Sequence, residues 1–324
     1  MNDCLRLSRP VALGLGCGAL GSPALDDDGA VRLVHAALDL GVTLFDSARS
    51  YGASEVRLGR ALSMARARDV CVSTKGGYGV DGVADWTYDA VARGVDEACG
   101  RLGVERVGVF HLHSCPREVL ERDDRAVVRA LDDAVRAGKV ARAGYAGDGA
   151  ALACALADAR FNAFELTLNV LDRANSAHLA AGDRALDVVI AKRALANAPW
   201  RTTTDADPAL AEYARRWRLV TGAAAPDAGA GADGAYGAYG AYGACGADGA
   251  DGVDGAEDAD GADGVFLRWA AHQPGVTHVL VGTTSVAHLE RAAAQLARGS
   301  LPADIARVLD DAWRAVGAAW PPVT

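Results

Sequence analysis

The sequence predicts an α/β protein whose fold is a closed (β/α)8 barrel, the TIM barrel. Eight short apolar, β-branched runs recur along the 324 residues, and longer stretches with helical periodicity separate them. Regular alternation of strand and helix favours a parallel sheet, and eight units close such a sheet into a barrel. A doubly wound open sheet is the alternative, but no G-x-G-x-x-G motif opens a first helix.

The predicted elements alternate from one end of the chain to the other. The eight predicted strands cover 11–15, 42–45, 70–74, 107–112, 141–146, 164–168, 186–191 and 277–281. Predicted helices between and after them include 29–40, 87–102, 117–137, 208–217, 265–272 and 286–297. Acidic residues 26–28 are positioned to cap the first helix, and Gly41 is positioned to end it.

One segment does not fit the barrel pattern. Residues 222–264 contain nine acidic residues and no Lys or Arg, so they account for the whole formal net charge of −9. Between 231 and 255 glycine recurs every third residue without proline, which excludes a collagen helix. So few large side chains cannot offset the entropy of ordering. We therefore expect a single barrel domain over 1–324, interrupted by a disordered, low-complexity acidic insert at 222–264.

Composition also bears on the partners and the cellular location that we expect for the protein. Outside the acidic insert the chain is neutral and shows no basic stripe, so we expect no nucleic-acid partner. The seven cysteines form no C-x-x-C pair, which indicates reduced thiols in a cytoplasmic protein and no zinc or other metal site. Glycines at 14, 16 and 18 interrupt the apolar stretch 11–20 and Gly21 follows it, which favours a first strand over a signal peptide. No run is long enough to span a membrane, and the oligomeric state stays open.

Four ionisable side chains follow the predicted second, third and fourth strands. Asp46 ends the second strand and Tyr51 follows it closely, while Lys75 ends the third strand and His113 ends the fourth. Barrel enzymes work at the C-terminal ends of their strands, so these side chains are predicted to converge at one mouth. Taken singly, each has an ordinary explanation, such as a helix cap, a loop anchor, a solvated lysine or a core histidine.

Together the four residues have the chemistry that carbonyl reduction requires. A tyrosine with a pKa of about 10 donates a proton poorly unless a cation stabilises its tyrosinate. Lys75 can supply that charge, and Asp46 can hold the ammonium in place. His113 can orient the substrate oxygen and share the proton. We therefore predict Tyr51 as the proton donor, assisted by the other three residues.

Around these residues the chain resembles the aldo/keto reductase family. The stretch 41–62, GVTLFDSARSYGASEVRLGRAL, resembles the family signature around its catalytic Asp and Tyr. VSTK at 72–75 and FHLHSCP at 110–116 resemble the strands that carry the family's Lys and His, and the catalytic His maps to His113. GKVARAG at 138–144 matches the lead into strand five, and 271–289 matches the end of the barrel that holds the cofactor phosphate.

The resemblance implies NADP or NAD as cofactor, lying extended over the barrel mouth. Its phosphate would lie at the N-terminus of the last predicted helix, where unpaired N–H groups favour an anion. A loop after strand seven would contribute further phosphate contacts. The implied cofactor-binding residues are Asp46, Glu165, Arg193, Leu195, Gly282, Thr283, Thr284, Ser285 and His288.

Three departures from the family pattern bear on the cofactor. Gly282 and His288 stand where some members place Lys and Arg on the 2′-phosphate, so the sequence does not predict NADP over NAD. Glu165 replaces the usual Gln, and a carboxylate can accept from the nicotinamide amide but cannot donate to its carbonyl. Ala146 and Gly147 stand where Ser and Asn are usual.

These observations predict an NAD(P)-dependent oxidoreductase that reduces an aldehyde or ketone to an alcohol, or catalyses the reverse oxidation. Its expected partner is a small-molecule carbonyl substrate. One alternative is a barrel lyase that uses Lys75 as a Schiff base, which would require a desolvated lysine without a carboxylate partner. The other alternative is a cofactor-binding relative that has lost turnover.

Overall fold

In the computed structural model of this protein, which describes residues 11–67, 69–180, 186–201, 207–223 and 261–323, eight parallel strands close into a barrel. The strands pair in chain order, and the last one pairs with the first. They are β1 Ala12–Gly16, β2 Leu44–Asp46, β3 Cys71–Gly76, β4 Val107–His113, β5 Val140–Ala146, β6 Ala163–Thr167, β7 Val188–Lys192 and β8 His278–Gly282. The predicted barrel is confirmed, and the open-sheet alternative is wrong.

Helices follow the strands on the outside of the barrel. They are α1 Asp27–Asp39, α2 Ser54–Met64, α3 Tyr88–Leu102, α4 Arg117–Leu120, α5 Ala126–Arg136, α6 Gly149–Leu156, α7 Ser176–Ala180, α8 Pro208–Ala223, α9 Ala262–Ala271, α10 Val286–Ala297 and α11 Ala303–Ala312. The predicted caps of the first helix are confirmed. The Asp26 side chain accepts from the Gly29 N–H at 2.6 Å, and Gly41 follows the helix with a φ of +78°.

The inside of the barrel has an apolar layer below a layer of ionisable groups. Alternate residues of a strand point to the same face, so Leu44 and Asp46 both point inwards from β2, as Cys71 and Lys75 do from β3. The lower layer forms its own buried cluster, which comprises Leu44, Cys71, Val109, Ala163, Val188, Ile190 and Leu280. The larger core lies between the strands and the surrounding helices. The floor of the barrel is therefore largely apolar, and the ionisable groups around Lys75 lie at the C-terminal ends of its strands.

The predicted continuous helix at 117–137 is wrong. The chain forms two helices, α4 and α5, with Arg125 between them in the left-handed region at a φ of +51°. The Asp124 side chain accepts from the Ala126 N–H at 3.2 Å, which favours a turn immediately before α5. Local hydrogen bonding of an aspartate thus interrupts a stretch whose apolar periodicity is helical throughout.

The boundaries predicted for the acidic insert also need correction. Residues up to 223 belong to α8, and residues from 262 belong to α9, so neither end of the range 222–264 is disordered. Gly264 is buried, and a Cβ at this position would lie 2.5 Å from the Gln295 side-chain oxygen of α10. The first residues of α9 therefore pack closely on α10, although their composition resembles that of the insert. The rest of the predicted insert, 224–260, lies outside the described residues.

We propose that 224–260 contributes nothing to the barrel core, and a deletion tests this. Replacing 224–260 with a short Gly-Ser linker is expected to leave kcat within a few-fold and the Tm unchanged. Loop-closure entropy grows only slowly with loop length, so a dispensable insertion costs the fold little. Thermal melting and steady-state rates of the two proteins provide the comparison. Loss of activity or of folding would show that the segment supports the barrel.

Two further properties of the described residues bear on the sequence expectations. Among the helices that the structure describes, none combines the length and apolarity that a membrane span requires. None of the cysteines in the described part of the chain forms a disulfide.

Candidate active site

The predicted catalytic residues meet at the C-terminal mouth of the barrel. Asp46 ends β2, Lys75 lies near the end of β3, and His113 ends β4. Tyr51 lies in the loop that follows β2. On the far side of the barrel, β6 contributes Glu165, whose carboxylate reaches the same lysine. The sequence did not predict this contact between Glu165 and Lys75.

Lys75 lies at the centre of this group and is fully buried. Its Nζ donates to the Asp46 carboxylate and, at 3.0 Å, to the Ser47 carbonyl. Glu165 Oε2 lies 3.1 Å from the same Nζ. Burial alone would lower the pKa of Lys75, but the two carboxylates outweigh burial and raise the pKa. Lys75 is therefore a fixed ammonium group at neutral pH.

The two carboxylates around Lys75 are not equivalent. Burial and the charge of Glu165 raise the pKa of Asp46 to about 7, although Lys75 opposes this shift. Burial also acts to raise the pKa of Glu165, but the Lys75 and Lys192 ammonium groups outweigh it and lower the pKa to about 2. Two buried carboxylates that share one ammonium cannot both ionise freely, so one of them has the raised pKa. Because the resemblance implies a neutral Gln at this position, Glu165 adds negative charge to the site.

Tyr51 is held at the mouth by a glycine-rich turn. A 3-10 helix, Cys17–Gly21, follows β1 and packs against the Tyr51 backbone. A Cβ on Gly21 would lie 1.7 Å from the Tyr51 carbonyl oxygen, so only glycine permits this approach. Lys75 Nζ lies 5.2 Å from the centroid of the Tyr51 ring. Burial raises the pKa of Tyr51 to about 12, and Lys75 acts against this shift.

The two histidines of β4 occupy different environments. His113 lies edge-on to the Tyr51 ring, with 6.0 Å between ring centroids. Burial, assisted by the charge of Lys75, lowers the pKa of His113 to about 4. Burial lowers the pKa of His111 to about 3. Both rings are therefore neutral at pH 7.

His111 and Ser73 extend the group of polar residues around Lys75 into the barrel, and the sequence analysis missed both. Ser73 Oγ donates to Asp46 Oδ1 at 2.8 Å and lies 3.1 Å from His111 Nε2. The Ser73 hydroxyl has one proton, which the carboxylate accepts, so His111 Nε2 is the donor to Ser73. The strand alternation contained a signal for these residues, because Ser73 and His111 lie two residues before Lys75 and His113.

Asp148 and Lys192, a second pair that the sequence analysis missed, lie on the opposite side of the mouth. Asp148 follows β5 and accepts from the Thr167 N–H at 2.7 Å and from the Asn175 amide at 2.8 Å. The Lys192 ammonium lies 3.3 Å from the same carboxylate. Asp148 thus fixes the loop after β5 and holds a cation near Glu165.

Two cavities that share four lining residues run across the mouth. The first, of about 570 Å³, is lined by Asp46, Tyr51, His113, Glu165 and Arg193 among others. The second, of about 130 Å³, is lined by Asp263, Thr283, His288 and Arg291 among others. The shared residues are Leu195, Ala198, Val281 and Gly282. The cavities therefore form one cleft from the residues around Lys75 to the N-terminal end of α10.

The N-terminus of α10 is capped by two hydroxyl side chains. The Ser285 side chain accepts from the His288 N–H at 3.4 Å, and Thr283 Oγ1 accepts from the Ser285 N–H at 3.0 Å. Gly282, Thr283 and His288 line the cleft, whereas Thr284 is exposed and lines neither cavity. Ser285 lines neither cavity either, so the predicted phosphate-binding residues do not all face the cleft.

Arg193 has a structural partner as well as a place in the cleft. Its Nη1 donates to the Val323 carbonyl at 2.8 Å, and its backbone adopts a φ of +53°. The Val323 N–H in turn donates to the Asp172 carboxylate at 2.8 Å. Arg193 therefore ties the C-terminal segment to the loop after β7, which leaves only part of its guanidinium available to a ligand.

Asp46, His111 and Glu165 also resemble a cation site, because their ligand atoms lie within 4.8 Å of one another. The Lys75 ammonium already contacts both carboxylates, so a divalent ion would have to displace it. The cluster is better described as two carboxylates that share one lysine.

Comparison with known proteins assigns the chain to a family. The sequence model of the aldo/keto reductase family matches residues 12–245. This match covers more than half of the chain, so the protein belongs to the aldo/keto reductase family of oxidoreductases.

Curated relatives and solved structures are similar to parts or all of the chain. An L-galactose dehydrogenase from Arabidopsis thaliana is 32% identical over 143 residues, 42% of this chain and 44% of that relative. A 6-dehydroglucose reductase from Novosphingobium aromaticivorans is 32% identical over 121 residues, 34% of this chain and 39% of that relative. These alignments span less than half the length of either relative. An aldo-keto reductase from Bacillus halodurans, solved in its holo form, has a TM-score of 0.67 and 16% identity over 93% of this chain and 91% of that one, which indicates a shared fold.

Proposed function

We propose that this protein reduces an aldehyde or ketone to an alcohol with NADPH or NADH, or catalyses the reverse oxidation. The observation that carries the proposal is the meeting of Tyr51, Lys75, Asp46 and His113 at one end of a cleft. When bound, the nicotinamide cofactor supplies a hydride to the carbonyl carbon. Tyr51 donates the proton that the carbonyl oxygen then requires.

The other three residues act on this proton transfer. Lys75 offers a positive charge to the tyrosinate that remains after Tyr51 has donated its proton. Asp46 and Ser47 fix the position of the ammonium. His113 is neutral at pH 7 and lies beside Tyr51, where it orients the substrate oxygen.

The residues that line the cleft fit a dinucleotide. Glu165 Oε2 is buried 3.1 Å from the Lys75 ammonium, and because a carboxylate oxygen can accept more than one hydrogen bond, it can accept another from the nicotinamide carboxamide. At the other end, Gly282 and Thr283 precede α10, whose N-terminal N–H groups favour a phosphate. We propose that the cofactor lies between these ends, past Leu195 and Arg193.

The surroundings of Lys75 favour the reductase hypothesis over the Schiff-base lyase hypothesis. A lysine that forms a Schiff base must reach its neutral form, and burial without a counter-charge would assist this. Two carboxylates contact Lys75 instead and raise its pKa. The intact catalytic group likewise favours turnover over a relative that only binds cofactor.

Sugars or similar polyhydroxylated carbonyl compounds are the substrate class that we propose. The names of two relatives refer to L-galactose and 6-dehydroglucose. Beyond the catalytic group, Ser114, Lys192 and Asn197 line the larger cavity and can hydrogen-bond hydroxyl groups.

A substrate panel tests the proposed function. Aldoses, ketoses and simple aldehydes should be assayed with NADPH and NADH by loss of reduced-cofactor absorbance, and the sugars also with the oxidised cofactors. We expect turnover in at least one direction and higher kcat/KM for polyhydroxylated compounds than for unsubstituted aldehydes. Cofactor binding without turnover of any compound would contradict the catalytic proposal.

Cofactor choice depends on the smaller cavity. His288 and Arg291 attract a 2′-phosphate there, whereas Asp263 repels one, so we expect only modest discrimination between NADPH and NADH. Arg291→Gln is expected to raise the Kd for NADPH about tenfold and to leave that for NADH nearly unchanged.

Fluorescence titration with each cofactor measures this effect. Arg307→Gln, which removes the same charge from an exposed position on α11, is the matched control. An equal loss of affinity for both cofactors in Arg291→Gln would show that Arg291 does not recognise the 2′-phosphate.

A further inference from the structure

Tyr78 is hydrogen-bonded to His113, and nothing in the sequence or the family resemblance assigns it a role. Its hydroxyl lies 2.9 Å from His113 Nδ1. The two rings are stacked, with 5.7 Å between centroids and 28° between planes. Tyr78 therefore contacts His113 through both its hydroxyl and its ring.

Hydrogen bonds and a ring contact hold the loop that carries Tyr78 in place. The Gly79 N–H donates to Asp85 at 2.8 Å, and the Gly79 carbonyl accepts from Arg49 Nε at 2.7 Å. The Trp86 ring packs on the Tyr78 ring with 5.5 Å between centroids, and the Trp86 backbone N–H donates to the Gly77 carbonyl at 2.8 Å. These contacts hold the Tyr78 hydroxyl at the histidine.

The backbone of Gly77 lies close to the Trp86 indole in this loop. Gly77 has a φ of +116°, and a Cβ there would lie 2.4 Å from the Trp86 ring. Glycine is therefore required at this position both for its backbone conformation and for the space that the ring occupies.

The protonation state of His113 determines what this hydrogen bond does. Burial lowers the pKa of His113, so the neutral ring has one N–H and one acceptor nitrogen. If Nδ1 accepts from the Tyr78 hydroxyl, Nε2 carries the proton. Among the described residues none bonds to Nε2, and the ring lines the larger cavity. An Nε2–H can donate to a carbonyl oxygen, whereas the opposite tautomer would direct a lone pair at it.

We propose that Tyr78 is a positioning residue that holds His113 in its Nε2–H tautomer. The hydroxyl donates to Nδ1, and the stacked ring fixes the orientation of the imidazole plane. His113 then presents a hydrogen-bond donor to the substrate oxygen beside Tyr51. This inference rests on the proposed function for its catalytic consequence but not for the tautomer itself.

Two measurements on Tyr78→Phe test the proposal, because this change removes the hydroxyl and keeps the ring. Long-range ¹H–¹⁵N spectra of histidine-labelled protein report the tautomer, and a His113→Asn variant identifies the signals of His113. We expect Nε2–H in the wild type and a mixture of tautomers in Tyr78→Phe. We also expect kcat to fall about tenfold, with the Kd for the reduced cofactor unchanged.

Tyr88→Phe is the matched control, since it also removes a hydrogen-bonded hydroxyl, the one that donates to Asp133 at 2.8 Å. It should change neither the His113 signals nor kcat. An unchanged tautomer in Tyr78→Phe would overturn the proposal, even if activity fell. A wild type without carbonyl turnover that nevertheless shows Nε2–H, lost in Tyr78→Phe, would refute the proposed function and support the role of Tyr78.

Discussion

Replacing Tyr51 with Phe is expected to lower kcat by at least about 10²-fold, the usual contribution of a positioned acid. The change removes the hydroxyl that we propose as proton donor and keeps the ring that packs near Lys75 and His113. Because no other part of the cleft changes, the Kd for the reduced cofactor should stay nearly the same. Steady-state kinetics and fluorescence titration measure the two quantities separately.

The matched control for Tyr51→Phe is again Tyr88→Phe, whose hydroxyl lies on α3 and bonds to Asp133. It should retain wild-type kcat. Near-full activity in Tyr51→Phe would rule this residue out as the acid. Loss of cofactor binding together with kcat would instead mean that Tyr51 shapes the cleft.

Replacing Lys75 with Met is expected to lower kcat about 10²- to 10³-fold, for an electrostatic reason. The ammonium is the positive charge that lowers the pKa of Tyr51, whereas burial raises it to about 12. Without Lys75 the pKa of Tyr51 rises further, so the tyrosinate is harder to form. In the oxidation direction, where Tyr51 must be deprotonated, the rate should therefore increase only at higher pH than in the wild type. Rate–pH profiles in that direction measure the displacement.

Lys75→Met also removes the counter-charge of two buried carboxylates. Breaking a buried ion pair costs about 3–5 kcal/mol, so this variant is expected to melt at a lower temperature. The double variant Lys75→Met with Glu165→Gln removes one of the unpaired carboxylates and should recover part of the lost Tm. Its kcat should stay low, because the missing charge at Tyr51 is not restored. Recovery of activity along with stability would show that Lys75 acts only through folding.

The same lysine separates the reductase from the Schiff-base lyase. Borohydride added with substrate should leave Lys75 unmodified, because the two carboxylates keep it protonated. Mass spectrometry that detected a substrate adduct on Lys75, independent of cofactor, would contradict the oxidoreductase mechanism.

Much of the architecture was predictable from local patterns. Every predicted strand lies within two residues of an observed one, because a short apolar run between turn residues is a local sequence signal of a buried strand. The positions of Asp46, Lys75 and His113 at strand ends follow from the same pattern. The interruption between α4 and α5 was missed, because apolar periodicity gives no weight to a turn that one aspartate side chain stabilises.

The sequence by itself thus determined the barrel, its parallel sheet and the end of it where the ionisable groups collect. Only the tertiary structure decided which of these groups form hydrogen bonds or ion pairs with one another. The contact of Glu165 with Lys75 crosses the barrel from β6 to β3, and the bond of Tyr78 to His113 depends on the shape of one loop. The position of each strand can be recognised from a short stretch of sequence. Distances between residues on opposite sides of a closed barrel depend on strand register and loop geometry, which no single segment encodes.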